Sequence, residues 1–169
     1  MTMIVTIWRH GEAGLAITDE VRELTGSGTD DVSYGCHQIN SHCQARGLPA
    51  PDRILHSPYI RTLQTAEIID AAFSHATMDA FDELAPSSTT AKVESLLGPV
   101  FDATTEPAHL VLVSHQPLVT HLLDHWLGQR GLVPSLPPSG FACLQMDAPG
   151  AGCASLQFWA FPPEFEAVT

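Results

Sequence analysis

The chain has 169 residues, 44% hydrophobic and 15% charged, with a formal net charge of −12 from 7 Lys and Arg against 19 Asp and Glu. That length and composition suit one domain spanning residues 1–169 and exclude disorder as a class. The charge argues against nucleic acid and anionic membrane as partners, because both bind clustered Lys and Arg.

The positive residues are Arg9, Arg22, Arg46, Arg53, Arg61, Lys92 and Arg130. An acidic protein that handles an anion has to concentrate such scarce cations at the site. No apolar run approaches the length of a membrane span, and the first residues show neither a basic n-region nor a cleavage-site pattern. Cys36, Cys43, Cys143 and Cys153 form no Cys-x-x-Cys pair, so reduced thiols in a cytoplasmic protein are the simplest reading.

The apolar run Met3 to Trp8 reads as a buried strand that ends in Arg9-His10-Gly11. Residues 13–18 read as a loop, and a Gly26-Ser27-Gly28 break precedes a helix capped by Thr29 or Asp30 and running to about Arg46. Val32, Cys36, Ile39 and Cys43 form its buried stripe, and Gly47 closes it. Arg53 to His56 is a short strand. A helix then starts at Ser57-Pro58, with Ser57 as its cap and Ile60, Leu63, Ala66, Ile69 and Phe73 as its apolar face.

Thr77 to Phe81 is a short strand, and Ser88 or Thr89 caps a helix to about Phe101. His109 to Val113 is a central buried strand. It ends at Ser114-His115 and leads into a helix over Leu118 to Leu127, closed by Gly128. Phe141 to Met146 and Ala154 to Trp159 form an antiparallel hairpin after the proline-rich loop Pro134 to Ser139.

This order predicts an α/β fold: a three-layer sandwich with a mostly parallel central sheet, helices on both faces and a C-terminal antiparallel hairpin. Right-handed crossovers bring the strand ends to one sheet edge. Arg9 and His10, Ser57 with Arg61 one turn later, and His115 are therefore expected to converge there. Arginines match phosphate oxygens bidentately, and a histidine can act as base or as nucleophile toward phosphorus. Neither role needs a metal or cofactor. Phosphoryl transfer is largely positioning and charge stabilisation.

Four segments carry a resemblance: Arg9-His10-Gly11-Glu12-Ala13, Leu24-Thr25-x-x-Gly28, Ser57-Pro58-x-x-Arg61-x-x-x-Thr65-Ala66-Glu67 and Ser114-His115-x-Pro117. In this order they resemble the histidine phosphatase superfamily, the phosphoglycerate-mutase-like proteins. The short chain and the segment around Asp19-Glu20-Val21-Arg22 are most similar to the small bacterial phosphohistidine phosphatases of the SixA type.

The resemblance implies that His10 is a nucleophile that becomes phosphohistidine. It implies that Arg9 and Arg61 grip the phosphoryl oxygens, that His115 donates to the transferring group, and that Arg22 is a further contact at the rim. Ser57 joins the expected phosphate ligands, and Gly11 is expected to leave room for the phosphoryl group. Glu83 matches the position of the superfamily's general acid; a solvated turn residue is the plainer reading of it. His56, Thr62 and Gln116 depart from the family's usual residues, and none of these departures removes a phosphate ligand.

The implied activity is metal-independent hydrolysis of phosphohistidine on a protein. A small phosphorylated metabolite, or a catalytically silent phosphate-binding module, is the alternative. The short chain lacks a lid-sized insertion, which argues against a mutase. His121 and His125 could be read as metal ligands, but an exposed helix face explains them better. The oligomeric state is not legible.

Overall fold

A computed structural model of the chain describes residues 2–169. Its centre is a six-stranded sheet. In chain order the strands are β1 (Met3–Arg9), β2 (Arg53–His56), β3 (Thr77–Ala80), β4 (His109–Ser114), β5 (Phe141–Met146) and β6 (Ala154–Ala160). Across the sheet the order is β3-β2-β4-β1-β5-β6. β3, β2, β4 and β1 pair in parallel, while β5 and β6 pair antiparallel. This is the expected mixed sheet, closed by the hairpin.

Both faces are covered. Helix α1 (Gly26–Arg46) and helix α2 (Ile60–Ala72) lie on one, and helix α3 (Thr90–Asp102) and helix α4 (Leu118–Leu127) on the other. Strand alternation sorts the core into two layers. Val5, Ile7, Leu55, Leu110 and Leu112 pack with α3 and α4, and Ile4, Trp8, Ile54, Val111 and Val113 pack with α1 and α2. β1 and β4 are buried along almost their whole length, as strands covered on both faces must be. Burying both faces of the sheet under helices requires these two apolar layers, as the three-layer sandwich implies.

Two helix starts differ from expectation. α1 begins at Gly26, with Thr25 as its cap accepting from Gly28 N, so the Gly-Ser-Gly stretch is the first turn rather than a break. Packing overrides propensity here. A Cβ on Gly28 would lie 2.3 Å from the Glu12 carbonyl oxygen, so only glycine lets this turn close on the strand-end loop. α2 begins at Ile60 rather than at Ser57-Pro58, because Tyr59 stays extended (ψ 146°) and Ser57 is engaged elsewhere. The Gly47 and Gly128 closures hold, both glycines lying in the left-handed region at φ 66° and 68°.

β1 and β4 are neighbours, yet α1 leaves β1 on one face and α4 leaves β4 on the other. Such a reversal opens a crevice beyond the carboxyl ends of the two strands. Their ends are flush, with Arg9 opposite Ser114 and His56 opposite Val113.

Candidate active site

Backbone pairing sets the two histidines at this edge. His10 N donates to Ser114 O at 3.1 Å, and Ser57 N donates to Val113 O at 3.2 Å. The segments after β1, β2 and β4 thus start side by side, and the His10 and His115 rings come within 5.1 Å between centroids. Both rings are buried.

His10 is held by its own neighbour. Its Nδ1 lies 2.7 Å from Gly11 O and donates to it, which leaves Nε2 as the lone-pair nitrogen. Arg61 Nε donates to that nitrogen at 3.2 Å. Burial, then Arg61, Arg9 and Arg22, push the His10 pKa down to about 4, against the opposing pull of the Gly11 carbonyl. The ring is therefore neutral at pH 7, with its electron pair directed at the cations.

Gly11 acts differently from expectation. A Cβ there would meet Gly28 O at 3.0 Å and Val32 Cγ2 at 3.0 Å. The missing side chain lets the loop close on α1 rather than making room for a phosphoryl group. Thr65 fixes the same loop, accepting from Gly11 N at 3.1 Å while donating to Arg61 O at 2.7 Å.

His115 is braced from behind. Its Nε2 lies 2.6 Å from Ser57 Oγ, which is also 2.7 Å from Thr62 Oγ1. Ser57 is wholly buried, so its hydroxyl orients His115 and is turned to the protein rather than to an incoming phosphate. His115 Nδ1 is buried and has no partner among the described residues. Burial and the charges of Arg61 and Arg9, with His10 beside it, lower the His115 pKa to about 2.

Arg9 is half-buried. Its Nη1 donates to Leu136 O at 3.0 Å, so the loop before β5 aims it. Burial, then Arg61, pulls its pKa below the ordinary arginine value. Arg22 sits at the rim, donating to Gly14 O at 2.8 Å and Ala13 O at 3.3 Å. The structure therefore brings together Arg9, His10, Arg61, His115 and Ser57, with Arg22 beside them.

Glu83 is the outlier. It is half-buried in the short turn Asp82–Leu84, which is tied to the end of β4 through Ser114 Oγ donating to Leu84 O at 2.7 Å. It lines a cavity of about 460 Å³ with Ser88, Lys92 and Ser95, and no hydrogen bond joins it to the histidines among the described residues.

Two residues in contact with the site escape a reading of the sequence. Asp19 accepts from Arg61 Nη2 at 3.1 Å through its carboxylate, accepts from Arg61 Nη1 at 2.6 Å through its carbonyl, and bridges to Arg22 Nη1 at 3.1 Å. Its pKa is lowered by both arginines. The only sequence signal is an acid three residues before an arginine, which is common on any surface turn. Tyr59 packs its ring edge-on against His115 and beneath the Arg61 guanidinium, both at 5.1 Å. The metal reading of His121 and His125 finds no support: His125 is paired to Glu94 at 2.9 Å and His121 is exposed.

Comparison with known proteins points one way. No family model matches the chain. A curated protein of Haemophilus influenzae, described as a phosphohistidine phosphatase SixA homolog, is 29% identical over 149 residues, which are 86% of this chain and 89% of that one. Among solved structures, the protein histidine phosphatase SixA complexed with tungstate superposes with a TM-score of 0.80 at 26% identity, covering 95% of this chain and 97% of that one. A mycobacterial glucosyl-3-phosphoglycerate phosphatase shares the fold at a TM-score of 0.67 and 12% identity, covering 93% of this chain and 98% of that one. With a sheet edge built from these four motifs, and with a curated relative and a solved structure agreeing, the chain is similar to the SixA-type proteins of the histidine phosphatase superfamily.

Proposed function

We propose that the protein is a metal-independent phosphohistidine phosphatase, working as one domain over residues 1–169 through a covalent intermediate on His10. One observation carries the proposal. His10 Nε2 is unprotonated, is buried against His115, and receives the Arg61 N–H. Arginines beside a neutral imidazole suit an incoming phosphoryl group, whose charge they neutralise while the lone pair attacks.

The reaction is two in-line transfers. His10 Nε2 attacks phosphorus as the bond to the substrate nitrogen breaks, and the substrate ring, already protonated on its other nitrogen, takes the bonding pair and leaves as neutral imidazole. Water then attacks the phosphohistidine, which releases phosphate and restores the His10 lone pair. Arg61 and Arg9 hold the phosphoryl oxygens throughout. His115, braced by Ser57, donates to one of them, and Arg22 adds positive charge from the rim.

Glu83 is the proposed acid for substrates that leave as alkoxides, which need a proton more than imidazole does. A small phosphorylated metabolite is the second reading, resting on the same histidines and arginines, which bind a phosphoryl group whatever carries it. Cytoplasmic location is part of the proposal and rests on the cysteine usage. For the described residues, no helix is long and apolar enough to cross a membrane.

The test compares wild type, His10→Ala and Glu83→Gln on a phosphohistidine-carrying protein and a panel of phosphometabolites, with and without chelator. The expected result is turnover of phosphohistidine that His10→Ala abolishes and chelator leaves alone. Glu83→Gln is expected to slow phosphomonoester hydrolysis more than phosphohistidine hydrolysis. Wild-type rates no higher than those of His10→Ala on every substrate would overturn the enzyme reading.

A further inference from the structure

The loop between β1 and α1 carries an arrangement that the chemistry alone does not require. Leu15 is 100% exposed, Ile17 99% and Val21 44%. Isolated apolar side chains on a surface need no explanation, but these three share one short loop at the mouth of the site.

The loop is built to hold its shape. Ala13 bridges to Leu24, Gly14 N donates to Glu23 O at 2.9 Å, and the Arg22 guanidinium bonds two of the loop's carbonyls. Asp19 anchors the far side to Arg61, which in turn touches His10. Leu15 and Ile17 therefore stand in water on a segment pinned at both ends, and its far end is one ion pair away from the nucleophilic histidine. Burying a Leu or Ile side chain is favourable, so the loop keeps a binding contribution in reserve.

The surrounding charge narrows what can collect it. Glu12, Asp19, Glu20 and Glu23 are exposed on the same stretch, against Arg22 alone. A small phosphorylated anion would gain nothing from Leu15 or Ile17 and would meet the carboxylates of Glu12, Glu20 and Glu23 on its way in, Asp19 being paired with Arg22 and Arg61. A protein whose phosphorylated histidine lies among apolar and basic side chains gains from both.

We propose that Leu15, Ile17 and Val21 form the docking surface for a phosphohistidine-bearing protein domain, seating an apolar patch beside its phosphorylated histidine while basic residues of that domain meet the acidic rim. This rests on the proposed phosphohistidine phosphatase activity and names the part of the molecule that recognises the protein carrying the group.

The test uses the double variant Leu15→Ser/Ile17→Ser. Its substrates are a panel of histidine-phosphotransfer domains phosphorylated with phosphoramidate, and phosphoramidate itself as a small P–N substrate. For the best phosphodomain, kcat/KM is expected to fall at least tenfold, mainly through KM, while phosphoramidate turnover stays within twofold of wild type. Unchanged kinetics on the phosphodomain would overturn the docking surface, and an equal loss on both substrates would make the loop part of the site's framework instead. If the mutation shifts the mass in solution but not the phosphodomain kinetics, a second copy of this chain is the occupant and the proposal fails. If wild type cleaves phosphoramidate and no phosphodomain, the protein-phosphatase reading itself fails, and the docking surface with it.

Discussion

Asp19 occupies both outer nitrogens of Arg61, so a phosphoryl group and a carboxylate compete for the same guanidinium. Asp19→Asn keeps the carbonyl contact and removes the charge. Inorganic phosphate is then expected to inhibit several-fold more tightly, measured as Ki against an aryl phosphate. An unchanged Ki would show that Asp19 serves only to hold its loop. The pairing illustrates what a sequence conceals at this scale. Arg9, His10, Arg61 and His115 are legible because their chemistry is uncommon at strand ends. Asp19 and Tyr59 act only through where a turn and an extended residue happen to place them. Ser57 is intermediate: its presence at the site is legible from the strand end, but its task of bracing His115 follows from a hydrogen bond that spans 58 positions.

Elements are legible where sequence and packing agree and less so where they compete. The cap of α3 at Thr89, the span of α4 and the hairpin strands need only local rules of capping, apolar spacing and turns. The start of α1 defied them, because Gly26-Ser27-Gly28 has poor helix propensity and is helical only through its contact with the loop after His10. Thr25 makes that joint reciprocal, accepting from Gly28 N at 3.0 Å and donating to Glu12 Oε1 at 2.8 Å. Gly28→Ala would drive a Cβ into Glu12 backbone atoms at 2.3 and 2.8 Å. Overpacking of this kind costs about 1–3 kcal/mol. Urea denaturation is expected to show that loss, with a fall in kcat because Glu12 is two residues from His10. Stability within 0.5 kcal/mol of wild type would mean the loop yields freely, since ordinary surface changes stay within roughly that range.

At the scale of the whole molecule, two buried histidines link stability to pH. The folded-state pKa values of His10 and His115 lie at about 4 and about 2, below the ordinary 6.5. As pH falls below 6.5, the unfolded chain takes up protons on these rings before the folded chain does. Their contribution to stability is thus complete above pH 6.5 and lost progressively as pH falls through 4. The urea midpoint is expected to hold between pH 8 and 7 and to drop from 6.5 to 4. A His10→Asn/His115→Asn variant is expected to drop less over that window, and an equal drop would move the cause to the carboxylates. The architecture itself was legible because alternating strands and helices permit few arrangements. The insertion of β4 between β2 and β1 was not, since no local pattern records which strand neighbours which.

That insertion reaches beyond geometry. β1 and β4 pair across more than a hundred residues of chain, Ile4 opposite His109 and Arg9 opposite Ser114. His10 and His115 meet only once that long loop has closed, so no fragment or half-folded intermediate can carry the paired rings. Turnover is consequently a census of fully native molecules. Activity lost in denaturant should track the disappearance of the whole fold, and a cell holding marginally stable variants would feel their unfolded fraction directly as lost dephosphorylation.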